Sequence, residues 1–175
     1  LISDLTAQES IFPDKSLEDV VRHYVFEKRN TDKPIVEADV VNISTIKGHG
    51  KGIKSLAGLE KCRSLLSLDL TNNEISDISP ISNLTLIQQF ILPKNKISDL
   101  KPIEGLVKLQ HLDLSENQIS DITTVGKFVK LKSLYLANNK IQNLGPVSNL
   151  KDAWSLYVEN NQISDIKPVI GMDKL

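Results

Sequence analysis

Several things are scarce in this 175-residue chain, and each scarcity narrows what it can be. It has one cysteine, Cys62, so no internal disulfide framework can form. No apolar run approaches the roughly 20 residues that span a bilayer, so membrane insertion is not expected. The formal net charge is -1, which gives no general attraction to nucleic acid or to anionic membrane. None of His23, His49 and His111 lies in a metal-binding spacing, and neither a Walker A nor a GxSxG motif occurs. Cys62 has no base beside it, so no catalytic residue, metal site or cofactor is expected. The first residue is Leu1 rather than Met, as in a processed product or a fragment. At 40% hydrophobic and 25% charged residues, the composition is that of an ordinary folded chain, long enough to bury a core.

What is present is a repeat with a period of 22 residues. Asparagine recurs at Asn73, Asn95, Asn117, Asn139 and Asn161, and each is followed two residues later by isoleucine. Apolar pairs at period 2 precede them: Leu68/Leu70, Phe90/Leu92, Leu112/Leu114, Leu134/Leu136 and Leu156/Val158. A degenerate coil stands in front, with Ile43, Ile46, Gly48, Ile53, Leu56, Leu59 and Cys62 on the same columns. Such a pattern predicts an α/β solenoid. Each period-2 stretch is a short parallel strand, and its inward residues fill a core that no coil could bury alone. An asparagine side chain carries two donors and an acceptor, so the asparagine column is read as a structural ladder serving backbone groups at the turns. Asp77, Asp99, Asp121, Asn143 and Asp165 are expected to cap short turns, 3₁₀ rather than α, with Pro80, Pro102, Pro146 and Pro168 in their first turn. Cys62 is expected to be a buried apolar residue.

Residues 11–42 do not repeat, and they read as a helical cap over the open solenoid end. A helix is expected to start near Ser16 and to end at Arg29-Asn30-Thr31, with Leu17, Val20, Val21, Tyr24 and Val25 on one face. A second is expected over Ile35–Val41. Residues 1–10 are expected to be disordered, residues 43–175 to form the repeats, and the array to continue past Leu175.

The residues between the apolar columns must point away from the core. They form three stacks: Thr45, Ser67, Gln89, His111, Ser133, Ser155; Lys47, Asp69, Ile91, Asp113, Tyr135, Tyr157; and His49, Thr71, Pro93, Ser115, Ala137, Glu159. Tyr135 and Tyr157 are thereby neighbours on the solvent side. They are either anchors for a ligand or packing within the strand ladder. Trp154, beside the small Ala153, either fills the space that alanine leaves or stands on the rim of the tyrosine surface. Candidate ligand-binding residues are Gln89, Ile91, His111, Asp113, Ser133, Tyr135, Trp154, Ser155, Tyr157 and Glu159. Lys127, Lys130 and Lys132 read as a solvated basic face.

The segments IFPDKSLEDVVRHYV and IVEADVVNISTIKGHGKGIKSLAGLEKC, followed by repeats of the form LxxLxLxxNxISDIxPI, resemble the internalins. These are leucine-rich-repeat proteins secreted by, or attached to the surface of, bacteria. The resemblance covers residue 9 onward. It implies a right-handed coil with parallel strands on a concave face, 3₁₀ turns on the convex face and a helical amino-terminal cap. It also implies a non-catalytic module that binds a host protein on the concave face, in an adhesion or virulence role. Two alternatives stand beside it: the repeat part of a surface haem-acquisition protein, and an intracellular scaffold that docks an enzyme such as a phosphatase.

Overall fold

The computed structural model describes residues 9–175. Most of the segment expected to be disordered lies outside the described residues. Of its last two, Ser10 accepts a hydrogen bond from the Phe12 amide.

Six strands of three residues form one sheet in sequence order: β1 (Thr45–Lys47), β2 (Ser67–Asp69), β3 (Gln89–Ile91), β4 (His111–Asp113), β5 (Ser133–Tyr135) and β6 (Ser155–Tyr157). All pair in parallel, each residue with the one 22 positions on. The central residues Ile46, Leu68, Phe90, Leu112 and Leu134 are fully buried. Opposite the sheet, 3₁₀ turns begin at Leu59, Ser79, Lys101, Thr123, Gly145 and Lys167. Asp77, Asp99, Asp121, Asn143 and Asp165 each accept from the amide two residues on, at 2.7–2.9 Å, which holds the entry to the turn. The four prolines stand in the first turn as expected.

The asparagine ladder closes each coil onto the previous one. Asn117 Nδ2 donates to the carbonyls of Leu92, Leu114 and Ser115 at 2.9–3.1 Å, and its Oδ1 accepts from Ile97 N at 2.9 Å. Asn95 and Asn139 repeat this, and Asn73 reaches both Lys51 N and Ile53 N in the degenerate coil. One column carries a constraint that the pattern reading passes over. The residue before each ladder asparagine has left-handed φ: Asn72, Lys94, Glu116, Asn138 and Asn160, with Gly50 in the degenerate coil. Glycine and asparagine adopt this readily. Lys94 and Glu116 each cost about 1 kcal/mol there, a strain held in place by the ladder.

The cap differs from expectation in its helix bounds. Helix α1 (Lys15–Arg22) starts at Asp14, not Ser16, because the Asp14 carboxylate accepts from Leu17 N. It ends at Arg22 rather than Arg29. The Arg22 guanidinium donates to the carbonyls of Lys28, Thr31 and Lys33, which draws that stretch into turns, and pairs with the buried Glu18. Helix α2 (Glu37–Val40) is shorter than Ile35–Val41, since Val36 is extended at its N-cap and the Ile35 carbonyl accepts from Ile11 N. The cap seals the free edge of β1. Tyr24 Oη accepts from Lys47 N at 2.8 Å, so that edge amide does not face water unpaired. Val20 occupies the space beside Gly48, where later coils carry leucine or valine; a Cβ on Gly48 would come within 2.8 Å of it.

Asp14 also latches the cap to the repeats, accepting from Lys54 N at 2.7 Å and Ser55 N at 2.9 Å. Partial burial pushes its carboxyl up, but the amides of Ser55, Lys54, Leu17 and Ser16 outweigh that and hold it below its ordinary value of 3.8. A carboxyl lowered by folding stabilises above its unfolded value, and that stabilisation disappears as pH falls through the folded one. Amide exchange at Lys54 and Ser55 should therefore accelerate below about pH 4, before the ladder amides Ile97 and Ile119 do. Simultaneous loss of both sets would contradict the latch.

Candidate functional site

The three outward stacks lie in the predicted register, because every strand pair is offset by one 22-residue coil. Their chemistry is uneven. At the β1 end, Asp69 is engaged: it accepts from Thr71 N and Oγ1, and its other oxygen lies 2.7 Å from His49 Nε2. Asp113 similarly accepts from Ser115 N at 3.0 Å, so both carboxylates serve the turns that end their strands. Gln89 accepts from Ser67 Oγ at 3.1 Å. Ile91 is half-buried, and Ala137, placed among the outward residues by alternation, is in fact buried.

Towards β6 the surface becomes aromatic. The rings of Tyr135 and Tyr157 are stacked, 4.7 Å between centroids and 8° from parallel. His111 continues the row at 5.3 Å from Tyr135, tilted by 52°. Tyr157 is 47% exposed and Ser133 and Ser155 flank the row in the neighbouring column. Glu159 is exposed beyond it. The aromatic row thus brings together His111, Tyr135 and Tyr157, while Gln89 and Ile91 both lie on β3, one strand back from His111.

Ala153 is buried, yet the Trp154 indole is not drawn into the core: it is 58% exposed, with Lys132 Nζ 5.7 Å from its ring centroid. It stands at the head of the strands, above a shallow groove of about 450 Å³ whose walls include Gln88, Gln110, Lys132 and Ser133. Gln88 and Gln110 are not among the candidates that alternation offers, and Lys132 belongs to the face read as a solvated basic one. The signal in the sequence is that all three share a column with Trp154, at 22-residue spacing.

The other reactive groups are withdrawn or scattered. Cys62 is fully buried, and burial, with Glu60 adding, pushes its thiol up to about 12. Among the described residues no three His, Cys, Asp or Glu side chains converge to hold a metal ion, and no helix is long and apolar enough to cross a membrane.

Coils of this kind, each with one short strand, one asparagine step and one 3₁₀ turn, define a leucine-rich-repeat solenoid. Leucine-rich-repeat family models match residues 61–78, 85–127 and 130–150. The chain is 33% identical over 75 residues to Internalin H of Listeria monocytogenes, covering 43% of this chain and 14% of that protein. It superposes on the crystal structure of an internalin (inlF) from Listeria monocytogenes with a TM-score of 0.90 at 29% identity, over 98% of this chain and 52% of that one. Internalin C2 of the same species matches at a TM-score of 0.54 and 25% identity, over 94% and 92% of the two chains. These matches support an internalin-like leucine-rich-repeat family for the chain. It spans about one seventh of Internalin H and about half of the inlF chain. Folds of this class typically serve as non-catalytic protein-interaction modules.

Proposed function

We propose that this chain is the recognition part of a bacterial surface or secreted protein. It performs no catalysis, and it takes a host protein on its concave face in an adhesion-type role. The observation that carries the reading is the stacked Tyr135–Tyr157 pair, continued by His111. Strand pairing and the ladder fix the backbone beneath these rings, so they can be desolvated by a partner with little ordering cost. Aromatic side chains on a rigid surface are the commonest anchors of protein interfaces. The similarity to internalins of Listeria monocytogenes supports both the bacterial origin and the extracellular setting. Gln89, Ile91, Asp113, Ser133, Ser155 and Glu159 form the polar and apolar surround of the anchor row, and Trp154 its rim.

The test is a pull-down from detergent-solubilised host-cell surface proteins with three baits of matched melting temperature. These are the parent, Tyr135→Ser/Tyr157→Ser, and Lys140→Ser on the exposed flank. A partner held by the parent and by Lys140→Ser, but bound about thirtyfold more weakly by the tyrosine variant, is expected for the loss of anchors worth 2 kcal/mol or more. Equal retention by all three baits would contradict the reading.

A further inference from the structure

We propose that the groove at the head of strands β3 to β6, under Trp154, binds an acidic oligosaccharide. Three independent features point to this ligand.

The first is the platform. Trp154 is the only tryptophan of the chain, and more than half of it is exposed on a coil whose backbone is fixed. Its flat apolar face suits the C–H face of a sugar ring, which an indole covers without needing a deep pocket. The second is the lining. Gln110 Nε2 lies 3.4 Å from Gln88 Oε1, so the two amides steady each other across adjacent coils. The pairing leaves Gln110 Oε1 as an acceptor and Gln88 Nε2 as a donor, a set that matches neighbouring sugar hydroxyls. Ser133 and His111 add further hydrogen-bonding groups, and no carboxylate lines the groove. The third is charge. Lys132 lines the groove beside the indole, and Lys108 and Lys130, two residues upstream of Gln110 and Lys132, are exposed outside its lining. Among the described residues none of them pairs with a carboxylate. Glu104 and Asp152, the acids of this flank, are taken by Lys127 and Lys174. Lys132 is the one lysine among the residues that line the groove, and no carboxylate stands with it there, which favours a carboxylated or sulfated sugar over a neutral one.

An extended peptide fits less well. The backbone here is already committed: Gln110 N donates to Gln88 O, Lys132 N to Gln110 O and Trp154 N to Lys132 O, at 2.8–2.9 Å. Strands β3 to β5, paired on both sides, offer a peptide no free edge to extend. Apart from Trp154 and the half-buried Ile91, the groove offers no apolar pocket for side chains.

The site adjoins the tyrosine row through His111 but does not rest on it, so protein recognition by the tyrosines can fail while this site stands, and the reverse. Because Trp154 is the sole tryptophan, its emission reads the site directly. The full chain is titrated with a hyaluronan hexasaccharide, with sialyllactose, with neutral maltohexaose and with a hexaglutamate peptide. A saturable emission shift is expected with an acidic saccharide. The first probe reports an internal uronate and the second a terminal sialic acid, and either supports the site. Calorimetry with the same saccharide should show affinity about tenfold lower in Lys132→Ala and unchanged in Tyr135→Ser/Tyr157→Ser. No saturable shift with either acidic saccharide would overturn the proposal. So would a response to maltohexaose, or to hexaglutamate, as strong as that to the acidic sugars.

Discussion

Replacing Asn117 with alanine is expected to lower the stability of the solenoid by about 3 kcal/mol. The side chain is 9% exposed and makes four hydrogen bonds to backbone groups of two consecutive coils. Alanine leaves the buried Ile97 amide without a partner and takes one of two donors from the carbonyls of Leu92 and Leu114, which Asn95 and Asn139 still reach, so the cost is set chiefly by that unpaired amide. Asn117→Asp should be at least as damaging, because a carboxylate would face three carbonyls that need donors. Asn161→Ala should cost less, since Asn161 is only half-buried and water can reach its partners. Urea denaturation of the three variants tests this ordering through their midpoints at unchanged slope. Equal losses at positions 117 and 161 would mean that the ladder does not act through burial.

Gly58→Ala should be of similar or larger effect, about 3–5 kcal/mol. Gly58 has φ of 101°, and a Cβ there would lie 2.5 Å from Phe12 Cδ1 and 2.6 Å from the Ile11 carbonyl. The left-handed backbone strains any L side chain, and the carbonyl cannot swing aside without breaking the entry of the cap onto the first coil. Pro80, Pro102, Pro146 and Pro168 occupy the equivalent places in later coils, where no cap residue lies against the turn. Undocking of the cap is the expected outcome, seen as fast amide exchange at Lys47 once Tyr24 leaves it, together with a lowered melting temperature. A Gly58→Ala protein with protected Lys47 would show that the cap does not dock through this contact.

The repeats were legible in the sequence because each coil must satisfy its neighbour's backbone in the same way. The asparagine column, the aspartates at the turn entries and the period-2 leucines are that requirement written out five times. The cap was less legible because its bounds are settled by contacts distant in sequence. Asp14 takes the helix start from Ser16 through a carboxylate that also reaches Lys54 and Ser55. Arg22 ends the helix by gathering carbonyls from Lys28 to Lys33, and the Ile35 carbonyl is held by the Ile11 amide. Local propensity contains none of these partners. On the concave face, alternation placed Tyr135 beside Tyr157 correctly, because register follows from the period. It could not foretell that Asp69 and Asp113 would turn inward on their own strand ends, nor that Trp154 would remain outside the core. Both depend on side-chain rotamers, on which a period is silent. The left-handed column before the asparagines was visible as Gly50, Asn72, Asn138 and Asn160, but Lys94 and Glu116 break that signal while keeping the conformation.

The central claim, that a protein partner sits on the concave face, is tested most directly by site-specific photo-crosslinking. A photoreactive phenylalanine analogue is placed at position 157, at position 135, or at position 123 on the convex turns, and each protein is exposed to host-cell surface proteins. One crosslinked partner shared by positions 157 and 135 and absent at 123 is expected. Crosslinking of the same partner from 123, with none from the two tyrosine positions, would contradict it.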